Sequence, residues 1–60
     1  MTTQEETFHA TDSTLISEFF MEHLVDGYEL VTHWSWVDEV YGPHDQVTKY
    51  PMITFLLKKD

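Results

Sequence analysis

Sixty residues carry eleven acidic side chains against only Lys49, Lys58 and Lys59, for a formal net charge of -8, so there is no basic stripe to neutralise a phosphate backbone and direct DNA or RNA binding is excluded as a reading. There is no cysteine for a disulfide or a thiolate zinc site, and a chain of this length buries only about 60% of the surface its unfolded form exposes. The chain is therefore read as a single small domain, 1–60, with 1–6 expected to be flexible and the rest held by packing. An aromatic content of 15% makes that feasible, since each buried ring removes roughly 150–250 Å² from water. No stretch approaches the roughly 20 apolar residues of a membrane span, and the amino terminus has no basic segment leading into an apolar run. A cytoplasmic location, the host cytoplasm if the gene is phage-encoded, is the expectation.

In chain order, Thr7–Thr11 reads as a short first strand with Phe8 and Ala10 inward. From Thr14 to Val25, Leu15, Ile16, Phe19, Phe20 and Leu24 recur at helical spacing, with Asp12 or Ser13 placed to cap the first turn and Gly27 placed to end the last. Glu18 and Glu22 fall on the wet side with Ser17, and His23 at the boundary. The period then changes to two. Tyr28, Leu30, Thr32, Trp34 and Trp36 are expected on one side of a long strand, and Glu29, Val31, His33, Ser35 and Val37 on the other. Asp38–Gln46, with Gly42-Pro43 inside it, reads as a loop or wide hairpin. Val47–Lys58 reads as the last strand, best paired over Met52–Leu57, with Pro51 marking a bulge or the end of pairing on one side. The expected fold class is α+β, in the order β-α-β-β, with one helix on a three-stranded, mainly antiparallel sheet.

Met52, Ile53, Phe55, Leu56 and Leu57 put apolar groups on both faces of the last strand, whereas one helix covers one face. A second copy related by a two-fold axis is the simplest cover, and a homodimer is expected.

The run Asp26-Gly27-Tyr28-Glu29-Leu30-Val31, after an amphipathic helix and before Ile53-Thr54-Phe55-Leu56-Leu57-Lys58-Lys59, resembles a family of small bacterial and phage domains of unknown function. Their pattern is a short strand, a helix, Gly-Trp-Glu-Leu-Val and a final strand with a Phe-x-x-Lys-like tail. The resemblance covers roughly Leu15 to Lys59, with Tyr28 in place of the usual Trp. It implies the β-α-β-β order and frequent self-association, and it brings no catalytic residues.

Enzymatic signatures are missing: there is no phosphate-binding glycine loop, no Gly-x-Ser-x-Gly elbow and no His-Glu-x-x-His pair. His9, His23, His33 and His44 show no ligand spacing, so neither a metal nor a cofactor is expected. Adjacent acids such as Glu5-Glu6 and Asp38-Glu39 point to opposite faces if extended, which does not suit paired acid–base work.

The remaining candidates are His33, Trp34, Trp36, Asp38, Glu39, Tyr41, His44, Asp45 and Lys49, around the end of the long strand and the turn. Aromatic anchors beside acidic groups suit a protein partner with a basic surface. The leading expectation is thus a small accessory inhibitor of the phage type, acting by stoichiometric binding to a host protein, with a nucleic-acid-binding protein as one candidate. The alternative is a homodimeric sponge for a small nucleotide signal, with rings of Trp34, Trp36 or Tyr41 stacking on the base and His33, His44 and Lys49 near phosphate or ribose. A structural dimerisation module is the third reading. In the sequence alone, Trp34 and Trp36 fit core, dimer interface or binding site.

Overall fold

The computed structural model describes all residues, 1–60, in the order β1 (Thr2–His9), α1 (Ser13–Val25), β2 (Glu29–Tyr41), a single 3-10 turn at Pro43–Asp45, and β3 (Val47–Lys59). The fold is α+β, with β-α-β-β connectivity and an entirely antiparallel sheet ordered β1-β3-β2. The apolar last strand takes the centre, where both of its edges are hydrogen-bonded. The polar β1 and the mixed β2 take the edges.

Residues directly paired across an antiparallel ladder share a face, so the register assigns every side chain. Phe8, Ile53, Phe55 and Leu57 are on the face that α1 packs against, and Leu30 and His33 are on the same face but exposed at its margin. Phe19, Phe55 and Leu57 form the buried centre, and Phe8, Ile16, Phe20, Tyr28 and Ile53 pack around it. The Phe19 ring meets Phe8 edge-on at 5.2 Å, and Phe20 meets Phe55 edge-on at 4.7 Å, geometries that suit the ring quadrupoles. Leu15 and Leu24, expected in the apolar stripe, are about half exposed, at 49% and 51%. The sheet is too narrow to cover the whole stripe.

The helix ends differ from each other. Asp12 occupies the N-cap without a side-chain cap bond, so the expected capping by Asp12 or Ser13 is not made, and only the Asp12 carbonyl engages, accepting from the Ile16 amide. At the other end Gly27 takes φ +93, its amide donates to the Leu24 carbonyl, and the Tyr28 amide donates to the His23 carbonyl. This paired arrangement is a Schellman closure, sealed by the His23 and Tyr28 rings at 5.3 Å. His23 sits at the boundary as expected, half-buried, with Nδ1 2.8 Å from the Phe19 carbonyl.

Four expectations change. The first strand begins at Thr2 rather than Thr7, and residues 2–6 pair with Lys59 to Phe55 instead of lying free; backbone ladder bonds hold this polar edge strand with little help from apolar side chains. Ala10 lies beyond β1, exposed in the turn, where its amide donates to the Pro51 carbonyl at 2.8 Å. Strand β2 runs on through Asp38 and Glu39 to Tyr41, so the first four of the nine residues Asp38–Gln46 are paired and the segment is the wide hairpin rather than the loop, because Val37 and Val40 oppose Pro51 and Thr48.

The fourth change has the largest effect. A bulge at Val31 breaks the register between Leu30 and Thr32, so Tyr28 and Leu30 go to the helix face while Thr32, Trp34 and Trp36 go to the other. One extra residue inverts every later side chain. Pro51 behaves as expected. Pairing between β1 and β3 stops at His9–Met52, where the missing proline amide would otherwise be required.

Beyond Met52 the sheet has only two strands. Residues Val37–Tyr41 and Val47–Pro51 therefore project as an arm past β1, stretching the molecule to 49 Å against widths of 22 and 13 Å.

Candidate functional site

The face turned away from α1 is the candidate surface. Across it, level by level, lie Thr32 beside Leu56, Trp34 beside Thr54, Trp36 beside Met52, Asp38 beside Tyr50 and Val40 beside Thr48. Strand β1 adds Glu5, Thr7 and His9 along one margin. Trp34 and Trp36 remain 43% and 39% exposed, and Tyr50 39%. Such rings in one continuous patch are uncommon on a surface that meets only water. Thr54 is the exception: it is 1% exposed although no helix covers it, set between Trp34 and Thr7 and hydrogen-bonded to the Thr7 hydroxyl at 2.8 Å. The His9 and Tyr50 rings meet edge-on at 5.6 Å, extending the aromatic surface toward the arm.

The residues singled out from the sequence do not converge. Trp34, Trp36 and Asp38 share the open face, whereas His33, Glu39, Tyr41 and Lys49 are on the helix side of the sheet. The His33 ring lies 6.1 Å from Phe55, at the margin of the core. On the arm, the Tyr41 hydroxyl donates to the Glu39 carboxylate at 3.0 Å, and Lys49 is the cross-strand neighbour of Glu39. His44 and Asp45 form the tip, with φ of 62 and 59, a left-handed conformation that these two residue types tolerate better than most. The tip is closed by the Gly42 amide donating to the Gln46 carbonyl at 2.7 Å.

Met52, Leu56, Tyr50 and Val40 belong to the surface and were not among the sequence candidates. For Met52 and Leu56 the signal was the apolar character of both sides of β3, of which one helix covers only one.

No three histidine or acidic side chains cluster as a metal set, and no buried polar side-chain atom lacks a partner. The three surface depressions, of 370, 220 and 410 Å³, are lined by other residues: the first by Glu22, His23, Val25, Asp26 and Tyr28, the second around Lys58 and Lys59, the third along the outer side of α1. No helix is long and apolar enough to cross a membrane. No family model, curated protein or solved structure matches the chain.

Proposed function

We propose that this chain is a non-enzymatic binding protein that works by stoichiometric contact with another protein chain through the open face of its sheet. The observation that carries this reading is the continuous apolar row of Trp34, Trp36, Met52 and Leu56 on a face the helix does not cover. Tryptophan anchors of this kind supply much of the energy of protein interfaces when a partner excludes water from them. Asp38, Glu39 and Asp45 along the arm make its surroundings negative, which disfavours nucleotide phosphates. Lys49 and His33, which would have to hold a phosphate, are on the opposite face from the tryptophans, and His44 stands at the tip of the arm, beyond the ladder.

The experiment compares partner retention by the immobilised wild-type chain, by Trp34→Thr with Trp36→Thr, and by Glu18→Lys with Glu22→Lys on the outer side of the helix. Retained proteins are expected to be lost with the tryptophan variant and kept with the helix variant. Retention unaffected by the tryptophan changes, or saturable quenching of tryptophan fluorescence by mononucleotides, would reject the reading.

A further inference from the structure

We infer that the occupant of the open face is a second copy of this chain, related by a two-fold axis that lies in the interface across the strands at the level of Trp36 and Met52. The arm of each copy then rests on the three-stranded body of the other. This inference builds on the reading of the open face as an interaction surface and names its partner.

The distribution of side chains along the strands locates the axis. Apolar groups occupy five consecutive levels, from Val40 beside Thr48 to Leu56 beside Thr32, and Trp36 with Met52 is the middle level. Beyond one end stand Glu29 and Lys58, and beyond the other the His44–Asp45 tip. A two-fold axis at the middle lays the whole patch on itself, whereas any shift along the strands uncovers apolar groups at one end.

The direction of the axis follows from the margins. Lying across the strands, it sets β2 over the β2 of the other copy, tryptophan row on tryptophan row. Lying along the strands, it would set Trp34 and Trp36 over the polar Thr7 and His9. In the first arrangement Glu5 falls beside the arm of the other copy, where the sheet has only two strands, and stays hydrated. Asp38 lies on an edge strand and reaches the rim. No carboxylate is buried unpaired, which removes the main cost of closing such a face.

The arm supplies a second reason. A two-stranded ribbon alone is marginally stable in water, and this one carries Val40 and Tyr50 on the open face. At about 3.3 Å per residue and about 4.8 Å between strands, the Thr48–Leu56 patch measures on the order of 30 Å by 10 Å in projection. With the relief of its large side chains it approaches the several hundred Å² per partner that specific interfaces bury.

The chain has no cysteine, so paired single substitutions report the arrangement directly. Thr32 and Val40 are exposed positions on β2, equidistant from Trp36. The axis sets Thr32 of one copy opposite Val40 of the other across sheets about 10 Å apart, and separates identical positions by roughly 26 Å along the strand. Sedimentation of the full chain at micromolar concentration is expected to give a species of twice the 7.1 kDa chain mass. A short bis-maleimide is expected to link a mixture of Thr32→Cys and Val40→Cys chains at least about tenfold more than either variant alone, given that difference in reach. Equal linking of each variant to itself, or a dimer in which the mixture does not link, overturns the arrangement. A monomer that still loses its protein partners on the paired tryptophan substitution overturns the self-association while leaving the interaction surface in place.

Discussion

The hydroxyl oxygens of Thr7 and Thr54 lie 2.8 Å apart, joining β1 to β3 on the face that no helix covers. Thr54 is buried and Thr7 is exposed, so the two ends of this bond are not equivalent. Thr7→Val strands a buried hydroxyl and is expected to cost about 1–3 kcal/mol, Thr54→Val leaves a hydroxyl that water can satisfy and costs less, and the double variant returns close to wild type. Urea unfolding of the four proteins checks the order. A Thr7→Val chain as stable as wild type would show that the bond does not hold the strands.

Phe55 contacts Phe8, Phe19, Phe20 and His33 by ring packing and is 7% exposed. Its replacement by Ala is expected to cost about 3–5 kcal/mol, a large share of what a domain this small possesses. Circular dichroism on heating should show Phe55→Ala unfolded or barely cooperative, while Glu18→Ala on the wet side of α1 leaves the melting curve within a few degrees.

Gly27 is held at φ +93, and a Cβ there would meet nothing nearer than the Lys59 Cε at 3.9 Å. The cost of Gly27→Ala is therefore backbone strain and not a clash, about 1 kcal/mol or somewhat more. The neighbouring Asp26–Lys59 ion pair spans 3.5 Å with both side chains well exposed, so Asp26→Asn is expected to change stability by less than about 1 kcal/mol. Denaturant midpoints for the two variants should rank in that order.

Val31 is the residue without a partner in the β2 ladder. Deleting it removes the bulge and forces a choice between losing Leu30 and Tyr28 from the helix face and turning Trp34 and Trp36 under the helix. The deletion is expected to abolish cooperative unfolding, whereas Val31→Thr, which keeps the residue count, should leave it intact. A deletion variant that still melts cooperatively, with its tryptophans as accessible to a quencher as in wild type, would show that the bulge does not set the phase.

Much of this architecture was legible in the residues. The helix follows from Ile16, Phe19 and Phe20 at helical spacing, its end from Gly27, and the need for a cover on both faces of β3 from its two-sided apolar run. Pro51 marked where the partner on one side stops. The β-α-β-β order required only these local signals, since each rests on a period or a backbone constraint carried by a few consecutive residues.

The fate of the tryptophans was not legible in that way. By strict alternation from Tyr28 they belong with the core, and only pairing against Leu56 and Leu57 on another strand shows that Val31 is skipped. The same long-range pairing divides the candidates, sending His33, Glu39, Tyr41 and Lys49 to one side and Trp34, Trp36 and Asp38 to the other. Composition, charge and local periodicity thus determined that this is a small acidic α+β domain with more apolar sheet than one helix covers. Tertiary structure decided which residues stay uncovered, because side-chain direction along a strand depends on a register that the partner strand sets.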